Sequence, residues 1–260
     1  MTVQSERRGA VTTIRLNRPE SMNAVDVALG DDLLAALTEA AEDDGVRAVL
    51  LTGNGRAFCS GADLRSGFEP TASGHPNVQQ ALLDRFHPII LTLRQMPKPV
   101  VAAVNGAAAG IGCSFALASD LVVAGESAYF LLAFVNVGLV PDGGSSFLIP
   151  ERIGFARAAE LAMLGERLPA AKAVEWGLIN RVVSDATLME DAGALADRLA
   201  KGPTRSYAGS KRQLNAWQFS RMEAQLALEA ELQQQMAESR DFMEGVAAFA
   251  AKREARFEGR

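Results

Sequence analysis

The sequence predicts an α/β core with a helical C-terminal extension, and three observations carry that prediction. Short continuous apolar runs, "RAVLLTG" (47–53), "PVVAAVNG" (99–106) and "DLVVAG" (120–125), read as buried strands. Glycine-punctuated loops follow the first two, and amphipathic segments of helical period lie between them. From about residue 186 onward the pattern is almost wholly helical.

The elements follow in order. "AVTTIRL" (10–16) alternates as a strand and "NRPES" reads as a turn. From Asp26 to about Ala41, the spacing of Val27, Leu33, Leu34 and Leu37 predicts a helix. The loop "NGRAFCSGADL" comes after the first apolar strand, and residues 78–95 form a second amphipathic helix ended by "MPKP". "AAAGIGCSFALAS" turns into a small-residue helix, and "AYFLL" (128–132) is a further strand. Helices are expected at roughly 145–163, 169–176, 186–200, 204–217, 220–238 and 240–256. No internal repeat or low-complexity tract appears. "AKGPT" (200–204) is the natural boundary between a core at 1–200 and a helical region at 201–260.

Composition narrows the function. The chain has 260 residues, 48% of them hydrophobic and 22% charged, with 31 acidic against 26 basic side chains. No basic stripe with interleaved aromatics is present, so a nucleic-acid partner is not expected. The two cysteines, Cys59 and Cys113, offer neither a disulfide framework nor metal-ligand spacing, which points to a reducing, cytoplasmic setting and no metal. The N-terminus lacks an apolar signal segment. The longest apolar runs are broken well short of a membrane span, so no membrane partner is expected.

The chemistry concentrates in three loops. "CSGADL" carries Gly61, Ala62 and Asp63, and "NGAAAGIG" leads through Gly110 into a helix. Small residues let main-chain N–H groups approach a ligand, and a helix start adds unpaired donors and a favourable dipole. Two such donors converging on one oxygen would make an oxyanion hole. A glycine after a strand is more often only a turn. A dinucleotide site competes for "GAAAGIG", but the G-x-G-x-x-G order is missing, and no acidic residue ends a strand about 20 residues on. The nucleophile elbow G-x-S-x-G is also absent. The third loop is "NVGLVPDGGSS" (136–146), in which Asp142 is the only acidic or basic residue between Glu126 and Glu151. On local grounds an acid beside glycine reads as a turn residue.

Taken in order, "RPESMNAV", "GRAFCSGADL", "KPVVAAVNGAAAGIGCSFALASDLVVA", "FVNVGLVPDGGSSFLIPERIG", "AKAVEWGLINRVV" and "EGVAAFAAKREARF" resemble the enoyl-CoA hydratase/isomerase (crotonase) family over essentially the whole chain. The resemblance implies a spiral core of ββα turns with a C-terminal helical region used for oligomerisation and active-site closure. It further implies an acyl-CoA thioester substrate, no separate cofactor, and a homotrimer or dimer of trimers. The matching oxyanion donors are the backbone N–H groups of Ala62 and Ile111. Ile111 departs from the small residue often found there, and its side chain is expected to narrow the acyl pocket. Contacts to coenzyme A fall on Ala24, Val25, the run Ser60, Gly61, Ala62, Asp63 and Leu64, and on Phe249 and Lys252, while Gly110, Phe134 and Leu139 are further substrate-binding positions.

Similar hydratases use two glutamates, and here the matching positions are Ser114 and Phe134. Phenylalanine cannot transfer a proton and serine is a poor base at its ordinary pKa. The local "GLVPD" with Gly143 and Gly144 looks especially like the isomerase of bacterial phenylacetate degradation. That likeness turns Asp142 into the expected base of an enoyl-CoA isomerase. The alternatives are a hydratase or another enolate-forming acyl-CoA enzyme, with Glu69 the first suspect for a second acid, or a non-catalytic acyl-CoA scaffold. Other residues take plainer readings. Asp63 orders its loop and Asp120 caps or terminates a helix. His75 and His87 are structural or surface, and Cys59 and Cys113 pack. Trp176 and the methionines (Met163, Met189, Met222, Met236, Met243) fill core or interface.

Overall fold

A computed structural model describes residues 1–260, and its strands are built from the apolar runs. The helices and strands number, in chain order, β1 (Val3–Arg8), β2 (Val11–Leu16), α1 (Val27–Glu42), β3 (Ala48–Gly53), β4 (Ala57–Cys59), α2 (Val78–Ala81) and α3 (His87–Gln95). There follow β5 (Val100–Val104), β6 (Ala107–Ala109), α4 (Ile111–Ala118), β7 (Leu121–Gly125), β8 (Tyr129–Leu131), α5 (Ser145–Leu148) and α6 (Pro150–Leu164). The chain closes with β9 (Leu168–Pro169), α7 (Ala170–Trp176), β10 (Arg181–Val183), α8 (Leu188–Lys201), α9 (Thr204–Gln218), α10 (Met222–Ala237) and α11 (Arg240–Ala251).

Two sheets result, one of six strands in the order β1-β2-β3-β5-β7-β10 and one of four in the order β4-β6-β8-β9. The β3–β5 and β5–β7 ladders are parallel, and so are the β4–β6 and β6–β8 ladders. Each turn of chain therefore lays one strand in each sheet and returns through helix, as β3-β4-α3, β5-β6-α4 and β7-β8-α5. This is the spiral of ββα units that the resemblance implies. Val49 to Leu51 and all of β5 are buried, as strands covered on both faces require.

The main core gathers 50 buried residues and draws on strands, spiral helices and Met222, Leu226, Ala230, Ala237 and Phe242 of the C-terminal helices. A second cluster of 11 packs α8 against the outer face of the large sheet. No helix is long and apolar enough to cross a membrane.

Several expectations need correction at the element level. β1, β4, β6, β9 and β10 are strands that the sequence reading left in loops or helices. The helix expected at 145–163 is interrupted: Pro150 opens a new segment, and Gly154 takes φ 77°, outside helical space. The last helix stops at Ala251 rather than 256, because Lys252 turns left-handed at φ 53°. Residues 82–86, inside the expected 78–95 helix, form a π-helical turn.

Asp120 does more than end a helix. It accepts from the Val100 N–H at 2.9 Å and pairs with Arg94 at 3.4 Å and Lys211 at 2.8 Å. Met163 and Met243 are exposed rather than core residues, and His87 is buried.

Candidate active site

The parallel pairing of β4 with β6, in register Cys59↔Ala108, brings the two glycine loops side by side at the ends of adjacent strands. Gly61 has φ 107° and a Cβ there would stand 3.3 Å from the Ala109 carbonyl oxygen. Gly110 has φ 51°, and its Cβ would stand 3.6 Å from Gly61 Cα. Both positions take a positive φ that favours glycine, and at Gly61 the Ala109 carbonyl also leaves little room for a side chain. Ile111 opens α4 at its first position, where a helical N–H has no acceptor in its own helix. The Val25 N–H donates to Gly61 O at 2.8 Å and the Asp63 N–H donates to Val25 O at 3.0 Å. That bridge between Val25 and Ala62 leaves the Ala62 N–H out of it.

The segment before α1 is fastened to the same loop. Asn23, fully buried at φ 56°, donates from Nδ2 to Asn54 O, Ala57 O and Phe58 O at 3.0, 2.8 and 3.2 Å. Arg18 binds Ala24 O at 2.5 Å and pairs with Asp63 at 3.1 Å and Asp26 at 3.2 Å. Asp26 in turn caps α1 by accepting from the Leu29 N–H. Asp63 also accepts from the Arg65 N–H at 3.2 Å, so it orders its loop as expected.

A cavity of about 230 Å³ opens between the two glycine loops. Of the expected site residues, Ser60, Gly61, Ala62, Leu64, Gly110, Ile111, Phe134, Leu139, Asp142 and Phe249 line it. Ala24, Val25 and Asp63 stand behind the first loop instead. Lys252 is exposed at the C-terminal cap of α11 and does not reach the lining. Glu69 is exposed outside the cavity. Phe68 and Phe86 complete the apolar wall, and Asp142 is the only ionisable residue among the lining side chains.

Asp142 is 6% exposed. Ser114 and Ser145 both donate their hydroxyls to its main-chain carbonyl, at 2.9 and 2.8 Å. Ser114 thus spends its only donor bracing this loop. At Gly143, φ is 59° and a Cβ would overlap Ile111 Cδ1 and crowd Ser114, so the loop lies flat on α4.

The carboxyl group accepts from Gln233 Nε2 at 2.5 Å through Oδ2, while Oδ1 is buried without a partner. Burial pushes Asp142 up to about 8, the negative charge of Glu229 adds to the rise, and the Gln233 hydrogen bond opposes it. Glu229 is 2% exposed and accepts from the Gly144 N–H at 2.8 Å and the Ser146 N–H at 3.1 Å. Its own burial raises it to about 7 against those hydrogen bonds.

Glu229 and Gln233 escaped the sequence reading. The available signal was the polar series Gln225, Glu229, Gln233 at four-residue spacing, a stripe on one helix face. All three reach the 140–146 loop, since Gln225 donates to Ser146 Oγ at 2.9 Å. The next residue, Gln234, accepts from the Gln79 N–H and donates to Pro76 O, each at 3.2 Å, and so ties α10 to α2 and the residues just before it.

Remaining reactive groups are quiet. Burial pushes the thiols of Cys59 and Cys113 up to about 12, which leaves them as packing residues. His87 is pulled down to about 4 by burial, so it is a neutral core residue. No cluster of three or more His, Cys, Asp or Glu residues could hold a metal ion.

Comparison with known proteins agrees with this architecture. The family model described as enoyl-CoA hydratase/isomerase matches residues 6–260. A Rhodobacter capsulatus protein named "Probable enoyl-CoA hydratase" is 42% identical over 259 residues, covering 100% of this chain and 98% of that one. The 1,2-epoxyphenylacetyl-CoA isomerase of Escherichia coli is 41% identical over 251 residues, covering 96% and 95%. The crystal structure of an enoyl-CoA hydratase from Mycobacterium avium subsp. paratuberculosis superposes with a TM-score of 0.90 at 34% identity, over 99% of each chain. The glycine loops, the spiral that juxtaposes them and the near-complete family match together make this chain a member of the enoyl-CoA hydratase/isomerase family.

Proposed function

We propose that the protein is an enoyl-CoA isomerase that moves a double bond between the 3 and 2 positions of an acyl-CoA thioester. The observation that carries this reading is the single ionisable side chain, Asp142, in a cavity flanked by two main-chain donors. The thioester carbonyl sits between the N–H groups of Ala62 and Ile111. The Asp142 carboxylate takes a proton from C2, and the C–H electron pair moves onto the thioester oxygen to give a dienolate. As those electrons return, the carbon skeleton accepts the same proton at C4 and the double bond comes to rest between C2 and C3. Donors of this kind are worth about 2.7–4 kcal/mol each to a transition state.

Hydration asks more of the site, because activating water and protonating carbon call for two acid–base groups. Phe134 lines the cavity, Ser114 is committed to the Asp142 carbonyl, and both Glu229 oxygens are held by main-chain donors outside the lining. The coenzyme A moiety is assigned to Ala24, Val25, Ser60, Asp63 and Leu64, with Phe249 and Lys252 of the C-terminal segment beside it. The Arg18-centred ion pairs that hold the Ala24–Val25 segment against Asp63 support that assignment. No cofactor beyond the coenzyme A of the substrate enters the scheme.

The test is incubation with a panel of 2- and 3-enoyl-CoAs in deuterated water, followed by mass spectrometry. Isomerisation with deuterium exchange is expected, with little hydration of crotonyl-CoA. The Asp142→Asn variant should lose isomerisation while still binding acyl-CoA, and a near-normal rate in that variant overturns the assignment. With Asp142 at about 8, kcat/KM should climb with pH up to that region, since the reaction begins from the carboxylate.

A further inference from the structure

We propose that Gln233 and Glu229, on successive turns of α10, are a positioning pair for Asp142, acting on it in opposite electrostatic senses. The inference rests on the isomerase reading for its kinetic consequence but not for its geometry. Gln233 is fully buried, donates to Asp142 Oδ2 and accepts the Val140 N–H on its own Oε1 at 3.3 Å. The second hydrogen bond fixes which end of the amide faces the acid. Oδ2 is thereby occupied, and Oδ1 is left as the oxygen with no protein partner. A base with one oxygen anchored and one open has a defined direction of attack, which proton transfer between C2 and C4 demands.

Glu229 adds the opposing influence. It grips the loop two and four residues beyond Asp142, at Gly144 and Ser146, and places a second buried carboxyl group behind the first. No cation offsets the pair. On the elements packed around it, α2 and α5 carry no ionisable side chain, and α4 carries only the Cys113 thiol, which stays neutral. In the π-helical turn, Asp84 bonds Gln80 and Arg85 bonds Asp31. On α11, Asp241 and Glu244 bond the C-terminal segment, at Glu258, Gly259, Arg253 and Arg256, while Arg240 lies exposed at the first position of the helix. The other acids of α10, Glu223 and Glu231, are exposed. An ionised Glu229 therefore disfavours an ionised Asp142, and the Gln233 donor favours it.

The prediction is a pair of opposite shifts. In protein labelled with carboxyl-13C aspartate, the Asp142 resonance is identified by its absence from Asp142→Asn. Its titration midpoint in the ligand-free protein should fall by at least about half a pH unit in Glu229→Gln and rise in Gln233→Leu. In isomerase assays Gln233→Leu should lower kcat about 10-fold or more with KM changed little, since orientation and not binding is lost. Far-ultraviolet circular dichroism and thermal unfolding establish that each variant is folded, and the neutral replacements Gln233→Met and Glu229→Met serve if either is not. Shifts of the same sign, or midpoints that coincide with that of the unmodified protein, overturn the proposal. If the opposite shifts appear but no enoyl-CoA is isomerised, the positioning pair stands and the reaction assigned to it falls.

Discussion

Asp142 illustrates how a residue's surroundings change its thermodynamic sign. Its ordinary pKa is 3.8, and in the folded protein it is about 8. The folded state therefore retains a proton that the unfolded chain releases once the pH passes 4. Folding is favoured least above pH 8, where the buried group must carry charge, and the penalty fades as the pH falls toward 4. Asp142→Asn should therefore be the more stable protein at pH 8.5 by about 2 kcal/mol or more, with the two proteins converging near pH 4. Each kcal/mol corresponds to about 2–4 °C in Tm for a domain of this size. Melting curves across that pH range check the claim, and a constant difference at all pH values contradicts it. A buried acid that costs the fold stability and is the only ionisable group lining the cavity fits the role of base proposed for it. Sequence alone could single Asp142 out as the one acid in a long apolar stretch, yet burial, which sets its behaviour, depends on helices far along the chain.

At the scale of elements, α4 is held from both ends. Its N-terminus faces the cavity, and its last carbonyls are met by cations: the half-buried Arg152 donates to Leu117 O at 2.5 Å and the buried Arg94 to Ala118 O at 3.1 Å. Positive groups at a helix C-terminus suit its dipole. Arg94 and Lys211, each 7% exposed at the side chain, share Asp120 as counter-charge. Asp120→Asn would strand two buried cations and should cost about 3–5 kcal/mol, read from urea unfolding, although the residue touches no part of the cavity. A surface ion pair would cost under about 1 kcal/mol, so the measurement discriminates. Long elements such as α1 and α8 are legible because their apolar period is strong. β4 and β6 are not, because "AFC" and "AAA" are three residues each, and alanine has little preference for strands. They exist because the parallel spiral supplies their partners, β6 for β4 and both β4 and β8 for β6, a tertiary effect that local sequence cannot display.

For the whole molecule, the exposed Phe155, Met163, Leu164, Leu214 and Trp217 leave apolar surface uncovered in a single chain. Light scattering should give three or six times the chain mass of 27.6 kDa, in keeping with the trimer or dimer of trimers proposed from the family resemblance. A monomer at micromolar concentration would contradict it. The family and the glycine loops could be read from the chain, because they are local strings. The α10 contacts to Asp142 could not, because they join residues about 90 positions apart and their side chains, glutamine and glutamate, look like ordinary helix surface. One more consequence follows from neighbours on that helix. Gln233 holds the acid while Gln234 holds Pro76 and Gln79, which flank Val78 in the cavity lining. Any displacement of α10 would therefore move the acid and that segment together. One helix thus couples the wall of the cavity to the orientation of the only acid that lines it.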